Sequence, residues 1–254
     1  MKISIITGAS SGIGRQMALL LDKTEQCDEI WLISRQADKL EECAKLLQTK
    51  SRIIEADLSL TSSIYQIEKT LKEENPEIIS LVNAAGFGKA GSFRKIPLEA
   101  QMNMIDLNCK ALMAITHICM PYMNKGSKVY EFASKAAFQP VPYMSTYAAT
   151  KAFVLSFSRA INKELESKGI KIIAVCPGWT KTSFLDRAVS DNTLIYYDKF
   201  YTPDAVAKCA VKDMEHGKDI SACGIYTKAN MLASKLLPHK LVMKIWCWQQ
   251  QKDN

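Results

Sequence analysis

The chain has 254 residues and a formal net charge of +7, from 33 Lys and Arg against 26 Asp and Glu, a size that suits one large buried core. The excess of cations is small and comes with no arginine-rich or aromatic platform, which speaks against nucleic acid as a partner. Eight cysteines without a Cys-x-x-Cys pair are expected to be free thiols, and three histidines without ligand spacing predict no metal site.

The first predicted element is a short apolar strand, Ile3-Ser4-Ile5-Ile6-Thr7. A glycine turn follows, Gly8-Ala9-Ser10-Ser11-Gly12-Ile13-Gly14, and then the helical pattern RQMALLLDK. Such a turn between strand and helix lets the backbone approach a pyrophosphate closely, and the free N–H groups at the helix start favour its negative charge. It is a candidate dinucleotide cradle. Further strands are read at 30–34, 52–56, 78–82, 128–133, 170–175 and 220–226, with helical patterns between nearly all of them. This alternation predicts an α/β fold, a doubly wound parallel sheet of about seven strands with helices on both faces, in a single domain. Right-handed crossovers then place a ligand crevice at the carboxyl ends of the strands. Strand-forming residues begin at position 3 and no apolar run approaches the roughly 18 residues of a spanning helix, so no signal peptide and a soluble, cytoplasmic protein are expected.

Within the helix-forming run STYAATKAFVLSFSRAINKEL, Tyr147 and Lys151 stand four residues apart on one helix face. A fixed ammonium stabilises a phenolate and lowers the phenol pKa from its ordinary value of about 10, which makes Tyr147 a candidate general acid/base. Taken alone, the pair also reads as an ordinary solvated helix-face contact.

With the glycine turn, written Thr7-Gly8-x-x-x-Gly12-x-Gly14, this pair resembles the short-chain dehydrogenase/reductase family. Further matches fall in the family's order over roughly residues 3 to 226: Asp57, Asn83-Ala84-Ala85-Gly86, Asn108, Ser134 thirteen residues before Tyr147, and Pro177-Gly178. Ala84 departs from the second asparagine of many members, and a small residue still fits that turn. The resemblance implies a nicotinamide dinucleotide cofactor, and reduction of a carbonyl or its reverse. It implies Tyr147 as acid/base, Ser134 as hydrogen-bond donor to the reacting oxygen, Lys151 as partner of Tyr147 and of the nicotinamide ribose, and Asn108 as the link of Lys151 to solvent. Cofactor contacts are implied for Gly8, Ser10, Ser11, Gly12, Ile13 and Gly14, and for Asp57, Leu58, Asn83, Ala84 and Gly86. Pro177, Gly178, Thr180 and Thr182 would form the nicotinamide loop. After the second strand stands Arg35, where an acidic residue would accept from the ribose of NAD and an arginine suits the 2′-phosphate of NADP, so NADP(H) is expected. A nucleotide-binding sensor without turnover is the alternative, against which the complete tetrad argues. A methyltransferase would leave Ser134, Tyr147 and Lys151 unexplained.

The segment 179–201 carries Trp179, Phe184, Leu185, Leu194, Ile195, Tyr196, Tyr197, Phe200 and Tyr201, and Phe138, Val141 and Tyr143 precede Tyr147. These side chains either line a lid over an apolar ketone or alcohol, steroid-like or acyl, or fill a small helix pair that touches no ligand. Residues 227–254 read as a basic amphipathic tail, with Leu241, Ile245 and Trp248 at helical spacing beside Lys240 and Lys244. Covering the pocket or packing on another subunit is expected of it ahead of lying on an anionic membrane surface. The family resemblance implies a homodimer or homotetramer, and the apolar face of residues 145–168 is compatible with a partner.

Overall fold

A computed structural model describes residues 1–188 and 193–252. Seven parallel strands form one sheet in the order β3-β2-β1-β4-β5-β6-β7. In chain order these are β1 (Lys2–Thr7), β2 (Glu29–Ser34), β3 (Ser51–Glu55), β4 (Glu77–Asn83), β5 (Lys128–Phe132), β6 (Lys171–Val175) and β7 (Ile220–Ser221). Helices α1 (Gly12–Thr24), α2 (Ala37–Ala44) and α3 (Thr61–Glu74) link the first four strands. After β4 come α4 (Leu98–Ile105) and α5 (Leu112–Cys119), joined by a π-helical turn at Asp106–Ala111, and then α6 (Ser145–Leu165) behind β5. The chain closes with α7 (Phe184–Ala188), α8 (Pro203–Glu215), α9 (Ile225–Leu236) and α10 (His239–Gln249).

Near-continuous apolar runs form the strands because both faces of the sheet are covered. In β1 the side chains of Ile3 and Ile5 enter the core on one face and Ile6 the core on the other; in β2, Trp31 and Ile33 oppose Ile30 and Leu32. Each fully buried aliphatic side chain contributes roughly 1.5–3 kcal/mol relative to exposure. Strand order reverses between β1 and β4, so the connections leaving these two strands run to opposite sides and open a crevice at their carboxyl ends. The seventh strand is shorter than the expected 220–226: only Ile220 and Ser221 pair with β6. Gly224 then takes a left-handed φ of 80° and Ile225 starts α9, so the C-terminal cover begins before the strand could lengthen.

Candidate active site

The β1–α1 turn forms one end of a cavity of about 750 Å³. Gly8 has a φ of 70°, and a Cβ there would stand 2.8 Å from the backbone nitrogen of Ala85. Its N–H donates to the Ile33 carbonyl at 2.8 Å. Only glycine lets this turn lie flush against the turn after β4. Helix α1 starts without a side-chain cap and without an acidic residue in its first turn. Its N–H groups and positive dipole end are thus uncompensated from within, and Ser10, Ser11, Gly12, Ile13 and Gly14 face the cavity. This end fits a pyrophosphate. Arg35, Asp57 and Leu58 line the same cavity beyond it, with the Arg35 guanidinium 3.6 Å from the Asp57 carboxylate and mostly exposed. Burial alone would raise the Asp57 pKa, but hydrogen bonds from Ser59 and the charge of Arg35 hold it below the usual carboxylate range.

Helix α6 brings Tyr147 and Lys151 to the cavity wall, both nearly buried. Lys151 Nζ donates to the Phe132 carbonyl at 2.6 Å and lies 5.9 Å from the Tyr147 ring centre. Ser134 leaves the end of β5 and caps a short 3-10 turn, its Oγ accepting from the Ala136 N–H at 3.1 Å. Behind them Asn108 is fully buried in the π-helical turn. Its Nδ2 donates to the Phe87 carbonyl at 2.9 Å and to Thr150 Oγ1 at 3.0 Å, while its Oδ1 accepts from the Phe87 N–H at 3.1 Å. Thr150 Oγ1 in turn donates to the Tyr147 carbonyl at 2.7 Å. The extra residue of a π-turn turns the Asn108 amide out of its own helix, and the amide locks the loop after β4 to α6.

Burial decides the electrostatics. It pushes the Tyr147 phenol up to about 12, with the Ser134 hydroxyl working in the opposite direction, and draws Lys151 down to about 8. The expectation that Lys151 holds the phenol below its ordinary value is therefore not met in this structure. Both groups lose hydration of their charged forms, and at 5.9 Å from the ring the ammonium does not offset that loss.

Of the expected residues, Gly8, Ser10, Ser11, Gly12, Ile13, Gly14, Arg35, Asp57, Leu58, Ala84, Gly86, Ser134, Tyr147, Lys151, Pro177, Gly178, Thr180 and Thr182 meet around the one cavity. Asn83 does not line it. Its Nδ2 turns into the sheet and donates to Thr116 Oγ1 at 2.9 Å and Glu131 Oε1 at 3.2 Å, where it helps satisfy a buried carboxyl. Asn108 also stays behind the wall.

At the other end the cavity is apolar, walled by Val141, Met144, Trp179, Phe184, Leu185 and Tyr196. The rest of the expected aromatic lid packs elsewhere: Phe138 against the core beside β6, and Leu194 and Tyr197 beneath the wall. Tyr143, Ile195, Phe200 and Tyr201 do not line the cavity either, and residues 189–192 of the expected lid lie outside the described residues. In their place stand residues of α9, α10 and the turn between them, among them Tyr226, Asn230, Leu237, Val242, Ile245 and Trp246. Trp246 Nε1 donates to the Pro142 carbonyl at 3.0 Å and ties the tail to the loop before α6. The expected pocket-covering role of the tail describes this inner face. Its signal in the sequence was a second apolar pair, Val242 and Trp246, one position out of step with the Leu241 and Ile245 of the outer stripe. Among the described residues no group of His, Cys, Asp and Glu is placed to hold a metal ion, and no helix is long and apolar enough to cross a membrane.

Comparison with known proteins agrees with this geometry. The short chain dehydrogenase family model matches residues 2–193. A very-long-chain 3-oxoacyl-CoA reductase-B of Danio rerio is 31% identical over 96% of this chain and 78% of its own length. An uncharacterized oxidoreductase of Staphylococcus epidermidis is 31% identical over 71% of this chain and 79% of its own. A solved short-chain dehydrogenase from Sphingobium yanoikuyae in complex with NADPH superposes with a TM-score of 0.79 at 26% identity, covering 96% of each chain. The chain belongs to the short-chain dehydrogenase/reductase family and is an oxidoreductase.

Proposed function

We propose that this oxidoreductase uses NADP(H) to interconvert an apolar ketone and its secondary alcohol, with Tyr147 as general acid/base. The observation that carries this reading is the meeting of Ser134, Tyr147 and Lys151 on the wall of one cavity, between an anion-receiving helix start with Arg35 at one end and an apolar chamber at the other. The dinucleotide supplies the hydride when bound. Backbone N–H groups of the Gly8 to Gly14 turn would hold its pyrophosphate, Arg35 its 2′-phosphate, and Pro177, Gly178, Thr180 and Thr182 its nicotinamide end. A phenol held near 12 keeps its proton across the neutral range and suits a donor to the oxygen of a reacting carbonyl. Ser134 donates to that same oxygen and stabilises charge as it develops. Lys151 presents a cation beside the departing proton, and Asn108 keeps its helix in register. The Danio rerio relative's name, a reductase of acyl-chain ketones, and the NADPH of the Sphingobium yanoikuyae structure support the substrate class and the cofactor. A homo-oligomer is part of the proposal, since Met113 on α5 and Phe153 on α6 leave apolar surface exposed on the helices behind the site.

The test follows NADPH consumption by the purified protein with a panel of bulky ketones. Tyr147→Phe is expected to lower turnover by roughly 100- to 10,000-fold while NADPH binding persists. Unchanged turnover in that variant, or tight NADPH binding with no carbonyl reduced and no alcohol oxidised, would overturn the proposal.

A further inference from the structure

The C-terminal helices carry exposed apolar surface that runs from the cavity mouth to their outer side. Along α9, Ile225, Ala229, Leu232 and Leu236 recur at helical spacing, and Ile225, Leu232 and Leu236 are 76, 58 and 73% exposed. Along α10, Leu241, Ile245 and Trp248 form a second stripe, with Trp248 76% exposed. Lys228, Lys235, Lys240 and Lys244 stand beside these stripes, and no Asp or Glu occurs anywhere from Gly224 to Lys252. The inner sides of both helices are already used, by Asn230, Ser234, Val242 and Trp246 facing the cavity. Tyr226, Leu237 and Ile245 line the cavity and are also 54, 39 and 41% exposed, so the stripes and the cavity mouth share a rim.

Exposed apolar surface of this kind marks a surface that meets something, and its charge says what. A second copy of the chain docked here about a two-fold axis would set a lysine-only surface against itself. An anionic bilayer neutralises each of those cations and accepts the apolar stripes at its head-group boundary, where an indole such as that of Trp248 is at home. Helices of 12 and 11 residues are too short to span and long enough to lie in the interface. We propose that α9 and α10 dock the protein on an anionic phospholipid surface, with the rim of the cavity turned to the lipid. Docking does not depend on the carbonyl-reductase reading; on that reading it gives an apolar substrate a path from the acyl chains into the cavity.

Flotation of the full chain with vesicles tests this, using phosphatidylcholine alone and phosphatidylcholine mixed with phosphatidylglycerol. Binding is expected only to the mixed vesicles, weakened by added salt, with a blue shift of tryptophan fluorescence. Removing two of the cations in Lys240→Gln/Lys244→Gln should weaken partition about 30-fold. Trp248→Ser should weaken it as well, and retained NADPH binding in both variants shows that they are folded. Absence of flotation on the anionic vesicles would overturn the proposal. So would flotation that neither variant reduces, or a wild-type oligomer that Trp248→Ser dissociates while no vesicle is bound.

Discussion

The dinucleotide end of the cavity and its apolar end are built from different parts of the chain and by different forces. Gly8, Asp57, Ala84, Ser134 and Pro177 each follow a parallel strand, and apart from the edge strand β3 the strands that lead to them are buried on both faces. The apolar end is roofed by α9 and α10, in which only Thr227 and Ser234 are buried. Interlocked strand ends leave a backbone little room to shift, because packing on both faces of the sheet over-determines it. Helices held on one side leave their inner residues free to change in size without disturbing the sheet. On the proposed function, this difference would fix cofactor geometry at the first end and leave substrate size to the second.

Substitutions that separate the two ends would show whether this division holds. The largest effect in binding is expected at the floor. Arg35→Asp places a carboxylate beside Asp57, which now lies 3.6 Å from the guanidinium, and removes a charge-assisted partner for a 2′-phosphate. NADPH should bind about 10- to 100-fold more weakly and NADH be affected far less, measured by fluorescence titration of both. Equal losses for the two cofactors would separate Arg35 from the 2′-phosphate.

A smaller and more selective effect is expected in the roof. Trp246→Ala opens the apolar end and removes the hydrogen bond to the Pro142 carbonyl. For a bulky ketone, kcat/KM should fall roughly tenfold, mostly through KM, with a milder change for a short-chain ketone. A variant that lost turnover equally on both would show that the roof also orders the catalytic wall.

The same division governed what could be read before the structure. Strands buried on both faces write continuous apolar runs, so the first six could be placed to within a residue or two, and the residues at their ends followed. The side chain of Asn83, expected at the cofactor, turns instead to Glu131, 48 residues away on a neighbouring strand, and neither spacing nor composition marks such a pair. The roof was legible only in outline, as one of two expected roles of the tail, and its contacts were not, because Trp246 meets Pro142 across 104 residues. Aromatic residues nearer the active site in the chain, such as Phe138 and Tyr197, read equally as pocket walls or as packing, and they pack. Local sequence carries turns and periods, whereas which apolar face meets a ligand is settled by tertiary packing. The Tyr147 phenol is a further case, since spacing showed its cation and could not show the burial that outweighs it.

The smallest expected effect tests the floor from beneath. Glu131 is completely buried on β5, where its Oε1 accepts from Thr116 Oγ1 at 2.7 Å and from Asn83, while its Oε2 has no hydrogen-bond partner among the described residues. Burial raises its carboxyl to about 7 from an ordinary 4.5, against the hydrogen bonds of Thr116 and Asn83 and the charge of Lys151. Between these two values the folded chain retains a proton that the unfolded chain has released. Stability therefore falls as pH rises through this interval, and the full penalty stands above pH 7. Glu131→Gln keeps an acceptor for Thr116 and carries no charge at any pH. Its melting temperature relative to wild type should thus climb between pH 5 and pH 8, by a change on the order of 2 kcal/mol or about 4–8 °C. The Lys151 charge should respond in the opposite sense, because the Glu131 carboxylate supports the protonated amine. Without it Lys151 loses its proton at lower pH, and carbonyl reduction that needs the cation should decline earlier on the basic side. A melting difference that is the same at pH 5 and pH 8 would show that Glu131 holds one protonation state throughout, and that the floor of the site is electrostatically more settled than its burial implies.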